Sequence, residues 1–187
     1  MAIDTSLAPT AFGRERARFI VAALGVSLLL FVSAKVSVPF WPVPMTMQPL
    51  AVLAVAALAG RRIAMAGLVA YLIEGAVGLP VFTGTPARGI GLAYMVGPTM
   101  GYILGWFPAM LVADWAARTL IRRPLALFAA MVAAMAAIYV PGVAWLGQFT
   151  GWGHVLALGV WPFAPADVVK AGLVTAMVLA TARLRRT

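Results

Sequence analysis

The stretch ARFIVAALGVSLLLFVSAK (Ala17–Lys35) decides how the rest of the chain is read. Between Arg18 and Lys35 it carries no charge, and a helix of this length spans the hydrocarbon core of a bilayer. Five further apolar runs follow: the shorter Met45–Gly60, then Ile63–Gly78, Pro98–Ala117, Pro124–Gly147 and Phe163–Leu184. Of the 187 residues, 64% are hydrophobic and 10% charged, and the mean hydropathy is +1.00. A soluble domain carries about a quarter charged residues, so this composition cannot coat a water-facing globule. Six crossings of roughly 20 residues take about 120 positions, which leaves no room for a second, soluble domain. The expectation is an all-α integral membrane protein: one bundle of six transmembrane helices over residues 17–187, behind an N-terminal tail over residues 1–16.

The charges set the orientation. Arg14, Arg16 and Arg18 precede the first span, and Arg61 and Arg62 separate the second from the third. Arg118, Arg122 and Arg123 separate the fourth from the fifth, and Arg183, Arg185 and Arg186 follow the sixth. The alternate loops contain only Arg88, with Lys35 and Lys170 near their edges. The positive-inside rule then places both termini in the cytoplasm. This also accounts for the net charge of +9 without nucleic acid, because the cations form no continuous basic face interleaved with stacking aromatics. One competing reading is a secretory signal: Arg14–Arg18, the run Phe19–Phe31 and Val32-Ser33-Ala34 match its three regions. Cleavage after Ala34 would leave five spans, although any first helix of a membrane protein gives the same pattern.

The elaboration lies in the outer connections. Val36–Pro44 (VSVPFWPVP) is extended and rich in proline and aromatics, Leu79–Gly97 is long and glycine-rich, and Gly147–Pro162 carries Trp152, His154 and Trp161. Long irregular loops in a compact protein are usually functional. Trp41, Trp106, Trp145, Trp152 and Trp161 fall near span ends, where an interfacial belt is the default. Pro141 sits inside the fifth span and is expected to kink or end it.

Few residues can carry chemistry. An ionisable side chain in a membrane is expensive, and so marks a functional candidate. Asp4 and Glu15 belong to the tail, and Asp114 stands four residues before Arg118, the spacing of a helical ion pair. Asp167 and Lys170, at i and i+3, share one face of the sixth span near its outer end. Either they neutralise each other as a helix anchor, or they floor a polar pocket open to the outside. Such a floor would suit a ligand with both N–H and C=O groups. Glu74 and Gln48 stand at the same level. Glu74 either joins that site, reaches the outer interface, or pairs with Lys35 or Lys170. Tyr94 and Tyr102 either bond a ligand or pack in the core. The small residues Ala22, Ala23 and Ser27 of the first span allow a close helix–helix approach.

Absences exclude several classes. The chain has no phosphate-binding G-x-x-x-x-G-K-[ST] loop, no H-E-x-x-H zinc motif and no cysteine. All four serines precede the second span, far from the single histidine, and Asp114 and Asp167 are expected on opposite sides. No enzyme site, metal or cofactor is therefore expected.

Four stretches carry a family resemblance: VPMTMQPLAVLAVAALAG (Val43–Gly60), YLIEGAVGLPVFTG (Tyr71–Gly84), GPTMGYILGW (Gly97–Trp106) and PADVVKAGL (Pro165–Leu173). They resemble the BioY family, the biotin-specific substrate-binding (S) components of energy-coupling factor (ECF) transporters. Met100 and Ala166 stand where that pattern has glycine. The resemblance implies a multi-pass protein of the bacterial cytoplasmic membrane that binds biotin near the outer surface, closed over by outer loops. It implies Asp167 and Lys170 as the polar pair of the pocket, with Gln48 and Glu74 as further candidates. Trp41, Phe82 and Tyr94 would cover the apolar ring of biotin, while Gly84, Gly89 and Gly91 let the loop backbone approach it. Partners so implied are biotin, the surrounding membrane lipid, a transmembrane coupling subunit and two ATPase subunits, with Ala22, Ala23 and Ser27 as a docking face. A self-sufficient facilitator or secondary carrier would use the same pocket. An intramembrane enzyme would need a nucleophile and base that the chain does not display, and a purely structural subunit would bind no small molecule.

Overall fold

The computed structural model describes residues 11–185, with side chains from residue 13. Asp4, Ser6, Arg186 and the first ten residues of the expected tail lie outside the described residues. The elements run α1 (Ala11–Lys35), β1 (Ser37–Val38), β2 (Met45–Thr46), α2 (Gln48–Ala59), α3 (Arg61–Ala76), α4 (Leu92–Met95), α5 (Met100–Thr119), α6 (Pro124–Thr150), α7 (Val155–Gly159) and α8 (Ala164–Leu184). Three helices, Gly13–Lys35, Pro124–Thr150 and Ala164–Leu184, are long and apolar enough to cross a membrane, and Gln48–Ala59 is a shorter apolar helix. Every apolar run of the sequence holds one of the six longer helices, with ends displaced by a few residues. The first helix begins at Ala11, ahead of the Ala17 start expected for the first span. Of the two outcomes expected at Pro141, the helix does not end there: α6 continues through it to Thr150. The start of the segment Val36–Pro44 is extended and pairs in a small antiparallel hairpin, Ser37 opposite Thr46 and Val38 opposite Met45.

The helices show little amphipathicity because lipid and protein interior are equally apolar. Ile20, Val21, Leu28 and Val32 of α1 face outward while Val26, Ser27 and Leu30 face in. Contacts inside the bundle are instead made by small residues, as in other membrane helix pairs. A Cβ on Gly105 of α5 would stand 2.6 Å from the Ile138 carbonyl oxygen and 2.7 Å from its Cα, both on the backbone of α6. Gly142 of α6 accepts the ring of Tyr102 in the same seam. On the other side, Gly67 of α3 lies against Val26 and the Ala23 carbonyl of α1.

This last contact corrects the expected docking face. Ala23 and Ser27 are buried against α3, and Ser27 Oγ–H donates to Glu74 Oε2 at 2.6 Å. Only Ala22 of the three is half-exposed. The small residues are used to seat α3, so they do not present an outward surface.

The charged groups sort to opposite ends. Around the single-residue link Gly60, whose φ of 88° lets the chain reverse between α2 and α3, one end gathers Arg61, Arg62, Arg118 and Arg185. Asp114 there is paired as its spacing suggested: its Oδ1 accepts from Arg118 Nε at 2.8 Å and from the Arg61 backbone N–H at 3.2 Å. The other end holds the hairpin, α4, α7 and the long loops. Gly105→Ala is expected to lower the melting temperature of the detergent-solubilised protein by about 3–10 °C, because backbone cannot yield to the added methyl. Gly25→Ala, which meets nothing within 4 Å, should melt at or above the parent; equal melting of both variants would contradict the packing described.

Candidate functional site

The first turn of α8 places Asp167 and Lys170 side by side at the loop-rich end. Lys170 Nζ donates to Asp167 Oδ1 at 2.8 Å, and the residues are 6% and 7% exposed. A buried ion pair stabilises weakly, since desolvating both charges offsets most of their attraction. Its presence in an apolar helix therefore points to use rather than anchoring. Two features hold the carboxylate in place. It sits in the first turn of a helix, where the dipole favours negative charge, and Tyr139 of α6 donates its O–H to Oδ2 at 2.6 Å.

This triad borders a cavity between α2, α5, α6 and α8. Gln48 and Pro49 come from α2, Tyr102 and Trp106 from α5, and Ile138 and Tyr139 from α6. Val43–Thr46, Thr83, Thr99 and Phe163 close the loop side. The enclosed volume is about 50 Å³, against roughly 300–1,000 Å³ for pockets that hold small organic ligands. A ligand larger than a few waters therefore enters only if the lining moves apart. Two clefts at the arginine-rich end are larger, about 420 and 600 Å³. Their ion pair is open to water on one side, the Arg118 side chain being 67% exposed, whereas both side chains of the Asp167–Lys170 pair are buried.

Gln48 does reach the cavity, yet its amide is fully engaged. Nε2 donates to the Tyr71 hydroxyl at 2.8 Å and the Leu30 carbonyl at 3.3 Å, while Oε1 accepts from Thr83 at 3.3 Å and Thr46 at 3.4 Å. Tyr71 in turn donates to the Val81 carbonyl. This network fastens α1, α2, α3 and the Val81–Thr83 strand of loop to one another, behind the ion pair.

The other expected residues lie elsewhere. Glu74 does not border the cavity and pairs with neither lysine, being held by Ser27. Lys35 instead donates to the carbonyls of Pro80 and Phe82 and to Thr85 Oγ1, at 2.7, 3.1 and 3.3 Å. Phe82 is sealed in the core, stacked on Tyr94 at 4.5 Å and edge-on to Tyr71 at 5.4 Å. Tyr94 and the exposed Trp41 flank a neighbouring cleft of about 250 Å³ beside Arg88, which shares Thr99 with the cavity; burial pushes the Tyr94 phenol up, so it stays protonated. Arg88 donates to the Phe40 and Pro42 carbonyls, both at 2.9 Å, and so clamps the second outer loop to the first. Gly84, Gly89 and Gly91 all have positive φ. They shape the turns of that loop and do not line the cavity.

Tyr139, Trp106 and the threonines are the cavity residues that sequence reasoning passed over. Tyr139 left a signal, as the only hydroxyl in the run Pro124–Gly147. Trp106, expected at the interface, is buried instead. Tyr102 donates to the Gly159 carbonyl at 2.9 Å and ties α5 to α7.

With this geometry the chain resembles known transporters along its length. A relative from Pyrococcus horikoshii, described as a probable biotin transporter BioY, is 36% identical over 152 residues, covering 81% of this chain and 87% of its own. The biotin transporter BioY2 of Lactococcus lactis is 32% identical, covering 86% and 87%. The fold matches a crystal structure of the S-component for biotin from an ECF-type ABC transporter, with a TM-score of 0.76 at 21% identity over 93% of this chain and 94% of that one. The protein is thus a multi-pass membrane protein. The family model for BioY matches residues 6–187, and the chain belongs to the BioY family.

Proposed function

We propose that the protein is the biotin-binding membrane component of an ATP-driven ECF uptake transporter, and not an enzyme. The observation that carries this reading is the buried Asp167–Lys170 pair, oriented by Tyr139 and bordering a cavity at the loop-rich end. Biotin offers two ureido N–H donors, one ureido carbonyl, an apolar ring and a carboxylate. Asp167 accepts a ureido N–H with a lone pair left by its present partners, and Lys170 donates to the carbonyl. Gln48 supports the wall from behind. The family membership and the names of the relatives support biotin as the solute. Family membership, together with a sequence that displays no nucleotide-binding loop, supports a partner module as the energy source, the ECF kind having a coupling subunit and two ATPase subunits. The transmembrane domain is the six longer helices, α1–α3, α5, α6 and α8, crossing the bacterial cytoplasmic membrane with both termini inside.

Two experiments test this. Calorimetry on biotin-depleted, detergent-purified protein is expected to show tight binding by the parent. Asp167→Asn should weaken it at least tenfold, since a hydrogen bond to a charged group contributes about 1.5–3 kcal/mol. Because Asp167→Asn leaves Lys170 buried and unpaired, the neutral pair Asp167→Asn/Lys170→Met is run beside it, with melting temperatures for all. Binding unchanged in well-folded variants would move the site, and no binding by folded parent would reject biotin.

The absence of native cysteine makes the orientation directly measurable. In intact cells, a membrane-impermeant maleimide should label Gly153→Cys, in the loop after α6, and should reach Arg122→Cys only after permeabilisation. The reverse pattern would invert the assigned topology.

A further inference from the structure

Every buried cavity-lining polar side chain named so far has a partner within the protein, with one exception. Trp106 is 3% exposed and borders the cavity, its ring 6.3 Å from that of Tyr71. Among the described residues, its Nε1–H is the one buried side-chain nitrogen or oxygen atom without a hydrogen-bond partner. Leaving a buried donor unmade is unfavourable, and in native structures such groups are rare. A phenylalanine would fill much the same apolar space with no N–H to satisfy, so packing alone does not explain indole here.

We propose that Trp106 is a ligand-binding residue, whose indole N–H donates to an acceptor oxygen of the bound solute. This rests on the biotin reading of the cavity and adds a contact to it. The chemistry favours such a donor. Biotin brings three acceptor oxygens, one on the ureido group and two on the carboxylate. The lining has few donors to meet them: Tyr102 donates to Gly159, Tyr139 to Asp167, and both N–H groups of Gln48 to Leu30 and Tyr71. Besides the half-buried Thr99 hydroxyl, Lys170, with N–H groups beyond the one directed at Asp167, and Trp106 remain as the principal donors. They come from different helices, α8 and α5, so together they would fix the solute across the width of the cavity. Trp N–H is donor-only. It therefore selects for an acceptor and disfavours a solute that presents N–H or an apolar group at the same place.

The test is Trp106→Phe, which keeps an aromatic ring and deletes the N–H. Biotin dissociation constants are measured by calorimetry for the parent, Trp106→Phe and Asp167→Asn, with melting temperatures in the absence of biotin. The expected result is a dissociation constant raised about tenfold in Trp106→Phe, with a biotin-free melting temperature equal to or above that of the parent. A constant within twofold of the parent, while Asp167→Asn loses binding, would overturn this inference and leave the biotin site standing. Failure of the parent to bind would overturn the biotin reading itself, and this inference with it. If Trp106→Phe also melts lower, the indole N–H resonance of Trp106 in ¹⁵N-tryptophan-labelled parent decides. It is assigned by its absence from the variant spectrum. A downfield shift of its proton with biotin supports the contact, and an unmoved resonance rejects it.

Discussion

Hydrocarbon satisfies no hydrogen bonds, so every polar group placed at membrane depth must find its partner inside the chain. That constraint organises this molecule. Its interior is built from close backbone approaches, such as Gly105 against Ile138 and Gly67 against Val26, and its buried polar side chains, the indole N–H of Trp106 excepted, occur as closed sets. Ser27 meets Glu74, Gln48 meets Tyr71, Thr83 and Leu30, and Asp167 meets Lys170 and Tyr139. The first two sets join helices. The third joins α6 to α8 at the edge of a cavity and contains two full charges, more than a structural tie requires.

The loops above that cavity are fastened by the same logic. Lys35 at the end of α1 caps the carbonyls of Pro80 and Phe82, and Arg88 caps those of Phe40 and Pro42. Both cations therefore serve irregular backbone whose carbonyls would otherwise be poorly satisfied. The loops are consequently tied to the bundle and to each other, while the cavity beneath them measures about 50 Å³. Admission of a solute the size of biotin couples expansion of this lining to binding. The gain from burying the ligand must exceed the cost of that rearrangement.

Much of the fold was legible from hydropathy, because an apolar run bounded by arginines is both a helix and its ends. The Asp114–Arg118 and Asp167–Lys170 pairs were legible for a related reason, since helical spacing alone brings their members together. What failed to show were contacts across long separations. Glu74 reaches Ser27 over 47 residues, and nothing in either local stretch reveals that α1 seats on α3. The same ignorance misread Ala23 and Ser27 as an outward face, since small residues suit an internal helix contact as well as a docking one. Phe82 and Tyr94 have the chemistry of ring-covering residues, and no local pattern reveals that they stack on each other outside the lining of the cavity. Pro141 illustrates the remaining difficulty: a proline within a packed membrane helix is tolerated where neighbouring helices resupply the lost contacts, which sequence does not display.

The central claim is that the solute is recognised at the loop-rich end by Asp167 and Lys170. The most direct measurement is an experimentally determined structure of the protein saturated with biotin. The account predicts ligand density beside the first turn of α8, with a ureido N–H within hydrogen-bond distance of Asp167, an oxygen acceptor at Lys170, and the cavity opened well beyond its present volume. Density at the arginine-rich end around Asp114 and Arg118, or a ligand that leaves the Asp167–Lys170 pair untouched, would contradict it.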